Sequence, residues 1–174
     1  MIFSGAMLVT VASGWVSQDA LLSNAANPGL ATLVMLVLIS FALEKTSLLR
    51  TLSRYLFSRS NALTTWRVMG LSALASSVLN NTAVVAALLN AVRRNRYIPA
   101  SKLLIPLSYA AIMGGTLTLI GTSTNLIVNS LFTETGHSGF AFFDFTLVGA
   151  GVLGAGLLVL FVVSRFLPSF TEAD

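Results

Sequence analysis

RVMGLSALASSVLNNTAVVAALLNAVRR, residues 67–94, is the stretch on which the fold turns. Its apolar run from Val68 to Val92 is broken at the centre by Asn80-Asn81-Thr82, with Arg67 on one flank and Arg93, Arg94 and Arg96 on the other. A helix that crosses a bilayer normally keeps its Lys and Arg on one side, the cytoplasmic one. Arginines at both ends therefore predict a segment that enters the membrane and returns to the same side. Each arm of about 13 residues rises about 20 Å as helix, short of the ~30 Å hydrocarbon core. Backbone groups at such a tip must be buried in protein or line a wet cavity, because hydrocarbon offers them no partner. A membrane protein keeps a binding site in that kind of place.

Composition points the same way. The 174 residues are 55% hydrophobic and only 9% charged, where soluble domains carry about 25% charged residues. Mean hydropathy is +0.85. The length leaves room for about five membrane segments in one compact unit. With no cysteine, disulfides, thiolate metal sites and cysteine nucleophiles are excluded. The net charge of +4 is spread between hydrophobic segments, which fits membrane topology and not a nucleic-acid surface.

Outward from the hairpin, the chain reads as a single transmembrane domain over residues 1–174. Residues 2–16 lack the basic start and small-residue cleavage site of a signal peptide and read as a first span. Residues 17–28 read as a loop and 30–44 as a second span. Over 46–60, Leu48, Leu49, Leu52, Tyr55, Leu56 and Phe57 alternate with Arg50, Arg54 and Arg59 at near-helical spacing, which predicts an interfacial amphipathic helix. The re-entrant hairpin occupies 67–93. A long apolar segment follows at 103–132, whose middle, Gly114 to Asn125, holds three glycines and many hydroxyls. Glycine costs a helix about 1 kcal/mol relative to alanine, so a broken span is expected there. Residues 133–144 read as a loop, with His137 exposed, and 145–165 as a last span whose glycines favour close helix packing. The predicted fold class is an all-α integral membrane protein: a polytopic helical bundle with one re-entrant hairpin and one discontinuous transmembrane helix. With both termini cytoplasmic, all ten basic residues fall inside, whereas a plain span at 67–93 would put Arg93 to Lys102 outside.

Broken helices bring helix ends to the middle of a membrane, where amino-terminal ends favour anions and freed carbonyls favour sodium. The arm starting near Ala83 would present its positive end to the tip, and the arm ending near Leu79 its carbonyls. Ser76, Ser77, Asn80, Asn81 and Thr82 add neutral oxygens and N–H donors. The alternative is a plain helix kink satisfied by neighbouring helices.

Ser77 to Ala86 (SVLNNTAVVA) and Pro106 to Val128 (PLSYAAIMGGTLTLIGTSTNLIV), in this order and spacing, resemble the divalent anion:sodium symporter family, within the larger ion transporter superfamily that includes citrate and arsenite carriers. The resemblance covers nearly the whole chain. It implies the amino-terminal repeat of a carrier built from two inverted repeats, with a Ser-Asn-Thr signature at each hairpin tip. Asn80 stands at the serine position, Asn81 at the asparagine and Thr82 at the threonine. Ser76 lies one turn earlier, Gly121 and Thr122 match the unwound part of the broken helix, and Asn125 closes that loop. The implied sodium ligands are Ser76, Asn80, Asn81, Gly121, Thr122 and Asn125, and the implied substrate-binding residues are Asn81, Thr82, Ser123 and Thr124. Ser123-Thr124 stand where dicarboxylate carriers often have Pro-Pro, and the Gly-Thr-Ser-Thr-Asn run looks more like the sulfate-type and uncharacterised permease branches.

The function expected from this resemblance is a secondary active permease of the plasma membrane. It would carry a small inorganic or organic dianion, such as sulfate or a dicarboxylate, with sodium as coupling ion. No second signature follows within the chain, so a second inverted repeat, in the same or another chain, is expected as partner, with a homodimer when complete. A truncated non-transporting paralogue or assembly subunit is the alternative, and a proton-coupled antiporter is third, weakened because no ionisable residue falls at mid-membrane. An enzyme is not expected, since the serines have no histidine at membrane depth.

Overall fold

The computed structural model describes residues 2–26, 28–44, 51, 53, 55–95 and 97–169. Among the described residues the chain is all-helical: α1 (Ile2–Ala12), α2 (Gln18–Ala25), α3 (Pro28–Glu44), α4 (Asn61–Ser76), α5 (Asn81–Arg93), α6 (Ala100–Gly114), α7 (Ser123–Glu134) and α8 (Thr146–Ser164).

α1 is shorter than the span expected over residues 2–16. It ends at Ala12 because Gly14 adopts a left-handed φ of 74°, and the Trp15 N–H turns back to the Thr10 carbonyl at 3.0 Å. Such αL residues end helices by satisfying their last carbonyls. Where a loop was expected over 17–28, the chain forms α2. The Ser17 hydroxyl caps it, accepting from the Ala20 N–H at 3.1 Å, and Asp19 lies in its first turn, as suits the positive helix start. Pro28 opens α3, a position where its missing N–H costs nothing. Residues 46–50, 52 and 54 of the expected interfacial helix over 46–60 lie outside the described residues; Thr51 and Ser53 are helical, and 55–60 is a turn leading into α4.

α4 starts at Asn61, ahead of the arginine expected to mark its entry. The Ser60 hydroxyl caps it, accepting from the Leu63 N–H. Arg67 then sits exposed on the helix and donates from Nη1 to the Tyr55 carbonyl at 3.2 Å. α4 and α5 are joined by a short turn, and α6 packs against both. The core lies where they meet: Val68 from α4, Val84, Leu88 and Val92 from α5, Leu103, Leu107 and Ala111 from α6, with Leu56, Leu79 and Ile98 from the connections. The buried residues of α4, which include Thr64, Val68, Ser72 and Ser76, recur every three to four positions and form one face.

Closeness between α4 and α6 depends on Gly114. A β-carbon there would overlap the Ala73 backbone, a contact no rotamer change relieves. Gly114→Val should therefore force the two helices apart and cost about 1–3 kcal/mol or more, as overpacking does. A thermal-unfolding scan of the purified protein should show a lower midpoint. Gly70→Ala is the control on α4, since nothing lies within 4 Å of a β-carbon at Gly70.

α6 ends at Gly114 and α7 begins at Ser123, so the long apolar segment is interrupted over 115–122. The following connection folds on its own aromatic rings: Phe132 stacks on His137 and on Phe140, with centroids 4.5 and 4.9 Å apart. It is tied to the interruption by the Leu119 N–H, which donates to the Phe142 carbonyl at 3.0 Å. α8, with 19 residues and a hydropathy of 2.5, is long and apolar enough to cross a membrane, and only 6% of it is buried within the chain. α1 and α3 likewise expose Leu8, Val9, Met35 and Leu38. Apolar surface on this scale suits lipid or further protein as its surroundings.

Candidate functional site

The two interruptions meet. Ser76, the last residue of α4 and fully buried, donates its hydroxyl hydrogen to the Asn81 Oδ1. Asn81 is the first residue of α5. Its amide lies against the Gly115 backbone: a β-carbon at Gly115 would stand 2.7 Å from Asn81 Oδ1 and 3.0 Å from the Gly121 carbonyl oxygen. From the other side, a β-carbon at Gly121 would stand 2.5 Å from the Gly115 carbonyl oxygen. At Gly121 only hydrogen clears the Gly115 backbone, and at Gly115 a β-carbon would displace the Asn81 amide.

Thr118 fastens this joint. It is 5% exposed, and its hydroxyl donates to the Ser77 carbonyl while accepting from the Gly121 N–H at 3.1 Å. Its own carbonyl accepts from Asn125 Nδ2 at 2.9 Å. One threonine thus links the end of α4, the unwound stretch and the start of α7. Sequence reasoning did not single it out: the stretch from Thr116 through Thr124 holds five hydroxyl residues, and nothing in their order tells which turns inward. Thr116 bonds only within its own turn, to the Met113 carbonyl at 2.7 Å. On the far side, Thr146 donates to the Leu117 carbonyl at 2.7 Å, so the start of α8 is attached as well.

The expected site residues divide into two groups. Ser76, Asn81, Gly121 and Asn125 are drawn together through Gly115 and Thr118. Asn80 lies beside them and caps α5, its Oδ1 accepting from the Thr82 N–H at 2.9 Å. Thr122 precedes α7 in extended conformation, φ −142° and ψ 144°, without capping it. Thr82, Ser123 and Thr124 are exposed; among the described residues, their side chains make no hydrogen bond to the rest of the site.

Chemically the site is neutral. No cluster of three or more His, Cys, Asp or Glu suited to a metal occurs among the described residues. What it offers is carbonyl, amide and hydroxyl oxygen, next to the amino-terminal ends of α5 and α7. Hard cations take oxygen ligands of this kind, and helix starts favour anions.

A family model described as "Citrate transporter" matches residues 1–173. The chain belongs to this citrate transporter family. Its relatives include an uncharacterized transporter of Synechocystis, 31% identical over 169 residues, with 92% of this chain and 27% of the relative covered. An uncharacterized transporter of Escherichia coli is 29% identical over 177 residues, covering 96% and 29%. Sodium/sulfate cotransporter 1 of Chlamydomonas reinhardtii is 33% identical over 154 residues, covering 81% and 17%. The chain thus spans less than a third of the length of these relatives. No solved structure matches. The family and these relatives are transporters, not enzymes.

Proposed function

We propose that the chain forms one half of a sodium-coupled permease for a divalent anion, sulfate ahead of a small dicarboxylate, in the plasma membrane. The observation that carries this is the joint of Asn81 against Gly115 and Gly121, where a hairpin tip and an unwound helix meet. Both supply neutral oxygens and helix starts to one place, which is the arrangement that discontinuous helices give transporters. Relatives named as sodium/sulfate cotransporters support sodium and sulfate as the pair to test first.

In this reading the hairpin of α4 and α5 is re-entrant, α6 and α7 are one interrupted span, and both termini are cytoplasmic. The rise from Lys102 to Gly115 along α6 is about 20 Å, well inside a hydrocarbon core of ~30 Å if Lys102 marks the interface. Ser76, Asn80, Asn81, Gly121, Thr122 and Asn125 ligate sodium through side-chain and carbonyl oxygens. Asn80 can do so while capping α5, since an amide oxygen has two lone pairs. Bound sodium then offers a positive charge to the dianion, which Asn81, Thr82, Ser123 and Thr124 hold by amide and hydroxyl hydrogens. A second inverted repeat supplies the opposite half of the site, and the complete carrier is a homodimer.

The test is uptake by proteoliposomes containing the full polypeptide that carries this chain. Labelled sulfate should accumulate with an inward sodium gradient and not with an equal potassium gradient, and unlabelled sulfate should compete better than citrate or succinate. Equal uptake in sodium and potassium would overturn the coupling. Stronger competition by dicarboxylates would overturn the choice of sulfate, and no uptake of either would favour the non-transporting alternative.

A further inference from the structure

A second site lies at the opposite end of the helices. A cavity of about 310 Å³ is lined by Asn61, Ala62 and Thr65 from the start of α4, Ile98 and Lys102 around the start of α6, and Phe161, Ser164 and Arg165 at the end of α8. Its volume is at the lower end of the ~300–1,000 Å³ typical of small-molecule pockets. Two of these residues are cationic and none is acidic. The starts of α4 and α6 add the positive ends of two helices of 16 and 15 residues.

The cavity has a firm frame. Phe161 stacks on Trp66 with centroids 5.0 Å apart, and the Arg165 guanidinium carbon lies 4.9 Å from the centre of the Phe161 ring. The Ser101 hydroxyl donates to the Pro168 carbonyl at 3.0 Å, holding the chain after α8 against the start of α6. Ser164 and Thr65 are buried, at 8% and 7% exposure, and Asn61 adds an exposed amide.

The geometry points to a phosphate-binding site between α4, α6 and α8, and its surroundings favour the headgroup of an anionic phospholipid as the source of that phosphate. Lys102 and Arg165 supply the charge, and Asn61 and the α4 start supply N–H donors. Along α8 and its C-cap, Arg165, Phe161 and Leu158 follow one another at spacings of four and three, so they share one face. Leu158 is 61% exposed, and the sequence of cation, aromatic ring and aliphatic residue along that face matches a headgroup continuing into acyl chains. Basic pockets between membrane helices bind lipid headgroups in this way.

The experiment reads binding and not uptake, so it stands apart from the identity of the transported anion. The full polypeptide, purified in neutral detergent, is heated with increasing phosphatidylglycerol, phosphatidylcholine, glycerol phosphate or inorganic phosphate. Phosphatidylglycerol should raise the unfolding midpoint at concentrations where the other three do not. Lys102→Gln with Arg165→Gln should weaken its apparent affinity about tenfold or more, while Arg94→Gln, an exposed charge outside the cavity, should leave it unchanged. Lys102→Arg with Arg165→Lys should retain binding. If the double glutamine variant does not fold, Arg165→Gln alone, at an exposed position, should still lose phosphatidylglycerol in native mass spectra. Equal effects of glycerol phosphate or inorganic phosphate would overturn the lipid and leave a free phosphate as occupant. Equal effects of both lipids, or undiminished phosphatidylglycerol binding by the glutamine variants, would overturn the site.

Discussion

Asn81→Ala is expected to reduce sodium-dependent anion uptake by about ten- to a hundredfold, the range set by ~1.5–3 kcal/mol for one interaction with a charged group. The amide of Asn81 receives the Ser76 hydroxyl hydrogen and lies against Gly115, so its removal takes away a candidate ligand and leaves the buried Ser76 hydroxyl without its partner. The core residues of α4, α5 and α6 are untouched, and the protein should still reach the membrane in normal amount. Gly115→Ala should reproduce the defect by another route. Its β-carbon would stand 2.7 Å from Asn81 Oδ1, against the 3.4–4 Å of ordinary contact. The amide must move aside by several tenths of an ångström, with Asn81 itself still present. The measurement is the initial uptake rate against sodium concentration, normalised to protein in the membrane. If both variants follow the wild-type curve, Asn81 is not part of the sodium site.

The break between α4 and α5 was legible because polar residues in the middle of an apolar run are expensive to bury and so carry information. Asn80, Asn81 and Thr82 stand out for that reason, and the glycines from Gly114 to Gly121 stand out because glycine weakens a helix. The ends of elements were less legible. Arg67 looked like the point of entry of the first arm, yet the helix begins at Asn61, because Ser60 provides a cap and a long arginine side chain can lie along a helix and reach a polar group beyond it. α2 was hidden for the opposite reason: its residues are polar enough to read as loop, and its start rests on one serine–backbone bond.

Within the site, residue types were legible and directions were not. A glycine can be required by a turn, by packing or by a ligand, and the sequence does not distinguish these. Gly14 serves a turn, with φ of 74°; Gly114 serves helix packing against Ala73; Gly115 makes room for Asn81. Gly149, in α8, makes room for the unwound stretch itself, since a β-carbon there would stand 2.5 Å from the Thr116 carbonyl oxygen. Which role each plays depends on contacts between segments far apart in the chain. The same holds for hydroxyls, which is why Thr118 emerged only with the backbone path of the break.

Thr118→Val tests that path most severely. Valine keeps the shape and removes the hydroxyl, so the Ser77 carbonyl loses its donor and the Gly121 N–H loses one acceptor. Leaving a buried polar group unsatisfied costs about 1–3 kcal/mol. The Gly121 N–H keeps only a long contact of 3.4 Å to the Thr118 carbonyl, so the total should approach the upper part of that range or exceed it. The unfolding midpoint should fall, and sodium should protect the variant less than the wild type, because the tip and the unwound stretch no longer hold a common geometry. Thr118→Ser keeps the hydroxyl and should restore most of both effects. Thr116→Val is the matched control: its hydroxyl serves only its own helical turn, so the loss should be a few tenths of a kcal/mol to about 1 kcal/mol. Equal destabilisation by the valine changes at 116 and 118 would mean that the joint between the two interruptions is not held by Thr118. A fall in midpoint with sodium protection unchanged would make Thr118 a support of the fold alone.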